Sequence, residues 1–249
     1  LNCVVNGKIL NSNLYKNLWI QPASGDAGGA LGVALALWHS ELKNPRKAVS
    51  VDSMKGSFLG PSYEQSQIEN QLLECGANFD VHTEEQIIEK TSEFLSNGLA
   101  VGWFQGRMEF GPRSLGNRSI LGNPLSDNMQ STLNLKVKYR ESFRPFAPSV
   151  LSEDVNEWFD IENDSPYMLL VGQVNKDKIL KITKEEELFF GISKLNIKRS
   201  IIPAVTHVDH SARVQTVHIE TNPKYYKLIK SFKERTDCPV LINTSFNVR

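Results

Sequence analysis

Two hydrophobic rhythms alternate along this chain, and the switches between them lay out the predicted elements. A turn rich in small residues at 24–29 opens an apolar run to about Leu42, read as a buried helix that Asn44-Pro45 closes. From Val49 to about Ser62 the pattern is irregular and broken by Gly56, Gly60 and Pro61, as in a linker. Helical periodicity follows over 63–74 and 83–97, the second opening on a Thr83/Gln86 capping box and stopped by Gly98. An apolar run at 99–104 predicts a buried strand, and 106–118 a long loop of glycines and arginines. Next come a helix over 126–137, an extended basic segment at 138–144 and a strand at 146–151. An acidic helix and turn at 153–164, a strand at 168–174 and a Lys/Glu-rich surface insertion at 176–199 follow. Strands at 204–208 and 212–219 flank a turn at 209–211. A helix over 223–235 starts on Pro223, and the strand 239–242 runs into a polar loop at 243–247. Helices and strands mixed in this way indicate an α/β or α+β domain.

Charge sharpens the picture. Lys+Arg 28 balance Asp+Glu 28, and zero net charge argues against a broad nucleic-acid surface. Yet Arg107, Arg113, Arg118, Arg140 and Arg144 crowd into one stretch with Lys136 and Lys138. A neutral chain with one concentrated cationic stretch fits a small polyanion. No apolar run approaches the roughly 20 residues of a membrane helix. Three scattered cysteines, Cys3, Cys75 and Cys238, form no CxxC pair, which fits a reducing, cytoplasmic setting. The absence of an initiator Met at Leu1 suggests a processed product or a piece of a longer chain.

Four stretches carry the chemistry. In 106–121, glycines let the backbone fold closely around a ligand while Arg107, Arg113 and Arg118 offer planar forks for phosphate oxygens. In 138–146, an extended chain would turn Lys138, Arg140 and Arg144 to one face, a repulsive set until an anion joins it. Tyr139, Phe143 and Phe146 would anchor that strand or cover an adenine ring. In 206–213, Arg213 is the better ligand contact. His207, Asp209 and His210 suggest a metal but lack a helical HxxxH partner. Finally, Asn243, Ser245 and Asn247 follow a buried strand, where short polar side chains suit phosphate or ribose. With no GxSxG, no P-loop and no activated cysteine, the chemistry rests on charge neutralisation and orientation.

These stretches, in this order, resemble the C-terminal half of the NodU/CmcH-type O-carbamoyltransferases. The resemblance implies a YrdC-like twisted sheet over 63–249 that forms carbamoyl adenylate from carbamoyl phosphate and Mg²⁺-ATP. It implies that 49–62 link this unit to a remnant, 1–48, of an actin-like transferase domain that holds Fe²⁺ when complete. On this resemblance Arg113, Lys138 and Arg144 are catalytic. Arg107, Arg118, Arg140, Arg213, Asn243, Ser245 and Asn247 bind the co-substrates, and Asp26, in the Gly25–Gly28 loop, is a metal ligand. The partner is a small-molecule hydroxyl acceptor (a sugar, an antibiotic or similar), with no nucleic acid or membrane, and a homodimer is compatible. The family commonly has Gly where this chain has His210, and its last motif continues past Arg249, so both ends are expected to be cut. Alternative readings are a threonylcarbamoyl adenylate synthase of tRNA modification and a non-catalytic nucleotide-binding module.

Overall fold

The computed structural model describes residues 2–16, 18–47 and 52–246. Two helices come first, α1 (Cys3–Asn11) and α2 (Asp26–Ala36), the latter continuing into a wider turn at Leu37–Glu41. Helices α3 (Gln65–Glu74) and α4 (Glu84–Ser96) precede strands β1 (Val101–Phe104) and β2 (Arg118–Gly122). Then follow α5 (Met129–Lys136), β3 (Ala147–Leu151), α6 (Val155–Trp158), β4 (Phe159–Asp160) and β5 (Leu170–Val174). Two one-turn helices, α7 (Lys184–Glu187) and α8 (Ile192–Leu195), lead to β6 (Ser211–Val217), α9 (Pro223–Thr236) and β7 (Val240–Ser245).

The strands form one mixed sheet in the order β1-β2-β7-β3-β6-β5-β4. Only β3 and β6 run parallel; every other neighbouring pair is antiparallel. Central β3 is wholly buried and β7 is buried from Val240 to Asn243, as strands covered on both faces are. Pro148 is tolerated inside β3 because its pairing with β6 begins only at Ser149, so the missing N–H falls outside that ladder. Helix α4 buries Ile88, Thr91, Ser92 and Leu95 at helical spacing, facing Tyr225, Leu228, Ile229 and Phe232 of α9. Burying each large apolar side chain there is worth about 1.5–3 kcal/mol. The pair is tied by Ser92 Oγ to Ser231 Oγ at 2.8 Å and by an Arg235–Glu89 ion pair. Helix α1 docks against β5: Asn6 Nδ2 donates to the Leu169 carbonyl at 2.9 Å, and a Cβ on Gly7 would come 3.0 Å from the Val171 carbonyl oxygen.

Several expectations change. None of α2's residues is buried, although a buried helix was expected; Val33, Leu35, Leu37 and Trp38 lie exposed because no apolar surface among the described residues covers them. The basic segment 138–144 is not extended. Tyr139 has φ 50°, a left-handed turn that breaks the extended run and leaves Arg144 apart from Lys138 and Arg140. The strand expected at 204–208 is a short 3₁₀ turn, Pro203–Val205, where proline fixes φ and removes the donor a strand needs. The acidic stretch makes only short turns through Trp158, because Trp158, Phe159 and Ile161 are drawn into the core and start β4. The described part of the expected linker is bonded to the arginine loop: Gly60 N donates to Met108 O, Met108 N to Pro61 O and Phe110 N to Ser57 O.

Candidate functional site

The loop between β1 and β2 folds around one carboxylate. Oε1 of buried Glu109 accepts the backbone N–H groups of Leu115 at 2.7 Å, Asn117 at 2.9 Å and Arg118 at 3.2 Å. Gly116 is required at φ 104°, and a Cβ there would stand 2.3 Å from Tyr225 Cδ1. Arg118 stacks over the Phe104 ring and donates to the carbonyls of Gln105, Asn117 and Gly106. Arg107 donates to the Gly60 carbonyl. Both arginines thus bind backbone and lie outside the cavity described next. Only Arg113, of the loop's three, reaches it.

That cavity, of about 520 Å³, opens between the clasped loop, the turn after α5, the end of β7, the start of β6 and the first residues of α1. Arg113, Lys138, Arg140 and Arg213 line it with Asn243 and Ser245. Lys138 Nζ donates to the carbonyl and hydroxyl of Ser245. Arg140 Nε donates to Asn134 Oδ1 at 2.6 Å, its guanidinium near the Phe146 ring. The buried Nε atoms of Arg113 and Arg213 have no hydrogen-bond partner among the described residues. Burial first, then Arg140, pushes the Lys138 ammonium down to about 8. Burial, followed by Arg113, also lowers the Arg213 guanidinium. Converging cations with unused donors form a site for an anion with several oxygens.

Asn243 plays a different part from direct contact. Its Nδ2 donates to Gln215 Oε1 at 2.8 Å and Ser114 O at 3.2 Å, and its Oδ1 accepts from Ser114 Oγ at 3.2 Å. Both amide hydrogens are therefore spent inside the protein. Buried Gln215 also accepts from Ser149 Oγ and donates to the Leu115 carbonyl, so one amide network joins β3, β6, β7 and the arginine loop.

Other expected residues fall elsewhere. Arg144 pairs with Glu141 at 2.8 Å, half-exposed, and faces a neighbouring cavity of about 710 Å³. Asn247 lies outside the described residues. Asp26 is exposed at the first position of α2, and no three metal-ligating side chains group together among the described residues. His207, Asp209 and Ser211 form one rim of the cavity, with Cys3 and Val4 also at its wall. His210 takes φ 63°, the left-handed conformation that favours glycine, and still closes the turn through its N–H to the His207 carbonyl.

Residues 92–249 match the family model described as Carbamoyltransferase C-terminus, and residues 1–35 match Carbamoyltransferase N-terminus. The chain belongs to the carbamoyltransferase family. It is 56% identical, over 100% of its length, to an uncharacterised protein of Synechocystis. Over 99% of its length it is 39% identical to the nodulation protein NolO of Bradyrhizobium diazoefficiens. Over the same share it is 32% identical to the 3'-hydroxymethylcephem-O-carbamoyltransferase of Amycolatopsis lactamdurans. The chain spans 41% of the length of each of these relatives. In this chain the cationic cavity draws on both matched regions: Cys3 and Val4 come from the first, and the arginines and lysine from the second. Among the described residues no helix is long and apolar enough to cross a membrane.

Proposed function

We propose that the cationic cavity binds carbamoyl phosphate and ATP and joins them into carbamoyl adenylate, from which the carbamoyl group passes to a hydroxyl of a small-molecule acceptor. The observation that carries this reading is the convergence of Arg113, Lys138, Arg140 and Arg213, with two unused buried donors, in a chain of the carbamoyltransferase family. The O-carbamoyltransferase among its relatives supports a hydroxyl as acceptor. In the domain arrangement that goes with this reading, 63–249 form the YrdC-like activating unit, and 1–48 belong to an actin-like transferase unit joined through 49–62.

The chemistry divides into two steps. Water converts carbamoyl phosphate to carbamate and phosphate; a carbamate oxygen then attacks the α-phosphorus of ATP and pyrophosphate leaves. Both steps concentrate negative charge on phosphate oxygens, which Arg113, Arg213 and Lys138 are placed to take up, while the Glu109 clasp and the Gln215–Asn243 network hold Arg113 in position. Among the described residues the cavity wall carries four cations and one carboxylate, Asp209, which already accepts from His207 and Ser211. The described wall therefore offers no set of ligands for Mg²⁺, which would come with ATP as its counter-ion and would supply further neutralisation of phosphate charge. The Fe²⁺ ligand set does not assemble from the described residues, Asp26 being a single exposed carboxylate, and no step here depends on it.

ATP–pyrophosphate exchange by the full-length protein tests the reading. Exchange that requires carbamoyl phosphate supports it. Exchange driven by threonine and bicarbonate would overturn it in favour of threonylcarbamoyl adenylate, and ATP binding without exchange would leave a regulatory module.

A further inference from the structure

The first of the two proposed steps needs a proton acceptor for the attacking water, and the cavity wall offers few. Its four cations are Arg113, Lys138, Arg140 and Arg213. Of these only Lys138 can lose a proton near neutral pH, and its Nζ is directed at the carbonyl and hydroxyl of Ser245. Asp209 is a weak base. Burial alone would raise its carboxyl, but hydrogen bonds from Ser211 and His207 outweigh that and bring it down to about 2. Cys3 presents a thiol, which as a thiolate would attack the carbonyl itself rather than activate water. His207 remains.

The surrounding turn fixes how His207 is held. Its N–H donates to the Ser211 carbonyl at 2.8 Å, and its carbonyl accepts from His210 N at 2.9 Å. Its Nδ1 lies 2.9 Å from Asp209 Oδ1, an oxygen that also accepts from Ser211 Oγ at 2.6 Å and Ser211 N at 3.1 Å. A carboxylate on Nδ1 selects the tautomer with hydrogen there and leaves Nε2 as the basic nitrogen. His207 also lines both the cationic cavity and the larger one beside it.

We propose that His207, oriented by Asp209, is the general base for the water that opens carbamoyl phosphate. This inference rests on the two-step reading above. A water proton passes to Nε2 as the oxygen bonds to the carbonyl carbon. The bond from that carbon to the phosphate oxygen breaks, and its electron pair leaves with the phosphate among the arginines. The remaining water proton passes from the carbamic acid so formed to the departing phosphate, leaving carbamate and hydrogen phosphate as products, and the imidazolium returns its proton to solvent.

The test supplies carbamate by two routes to the full-length protein and its His207→Asn variant. The asparagine amide keeps a donor near the position of Nδ1, so the bond to Asp209 survives while the base is lost. One route is carbamoyl phosphate; the other is an ammonium bicarbonate solution, which contains carbamate at equilibrium. With carbamoyl phosphate, phosphate release by the variant falls by about a hundredfold or more, the ordinary contribution of a general base. With ammonium bicarbonate, ATP–pyrophosphate exchange stays within about threefold of the parent protein. The pH dependence of kcat/KM for carbamoyl phosphate also loses one ionisation in the variant. Equal losses by both routes would make His207 a structural residue, and no loss by either would make it a bystander; each overturns the proposal. Failure of the parent protein by both routes would instead remove the two-step reading, and the inference with it.

Discussion

Replacing Glu109 by Gln removes a charge from the point where the arginine loop is fastened. One oxygen of the carboxylate accepts three backbone N–H groups, and the residue is buried. A hydrogen bond to a charged group contributes about 1.5–3 kcal/mol and a neutral one about 0.5–1.5, so each of the three weakens by roughly 1 kcal/mol. Glutamine keeps a carbonyl in place, and the expected loss of stability is about 3 kcal/mol. For a chain of this size that lowers Tm by roughly 6–12 °C. Arg113 sits inside the fastened segment, so pyrophosphate binding should weaken at least tenfold in parallel. Urea unfolding gives the first number, and isothermal titration of pyrophosphate into the folded variant gives the second. A variant within about 0.5 kcal/mol of the parent, below even one lost neutral bond, would refute the clasp. Lost stability with unchanged pyrophosphate affinity would refute its link to Arg113.

Three further outcomes follow from the same site. Because burial holds the Lys138 ammonium down at about 8, the folded protein releases this proton before the unfolded chain does. Its contribution to stability therefore rises from pH 8 towards the ordinary lysine range, while pyrophosphate binding weakens over that interval; Lys138→Arg should flatten the binding profile. Gln215→Leu should cost about 2–4 kcal/mol in urea melts, since it strips partners from Ser149, Asn243 and the Leu115 carbonyl, and should raise the KM for carbamoyl phosphate. Of the cysteines, exposed Cys75 should react first with a thiol reagent and half-buried Cys3 more slowly, with pyrophosphate protecting Cys3 because it lines the cavity. Burial pushes the Cys238 thiol up to about 12, and it should react only on unfolding.

The elements that declared themselves in the sequence are those whose ends carry chemistry of their own. Helix α4 announces itself through Thr83 and Gln86, and α9 through Pro223, because helix-start chemistry is local. The left-handed turn at Tyr139 did not, since tyrosine carries no local preference for it, and the strand expected at 204–208 overlooked the local constraint of Pro203. At the site, density of arginines was an incomplete guide. Arg107 and Arg118 serve a loop whose exposed carbonyls need donors, and Arg144 finds a local acid in Glu141. Arg113, Lys138 and Arg213 come together only through the β2-β7-β3-β6 arrangement, which no short-range pattern encodes. Docking of α1 against β5, which brings Cys3 to the cavity, was equally invisible, because an asparagine and a glycine take a leading part in it.

The most direct test of the proposed activity is ³¹P NMR of the full-length protein incubated with Mg²⁺-ATP, carbamoyl phosphate and pyrophosphatase. Splitting of ATP between its α- and β-phosphorus would yield AMP, in proportion to the carbamoyl phosphate consumed, and Arg113→Ala and Arg213→Ala would abolish it. ADP as the nucleotide product, or AMP formed equally well without carbamoyl phosphate, would contradict carbamoyl adenylate formation in this cavity.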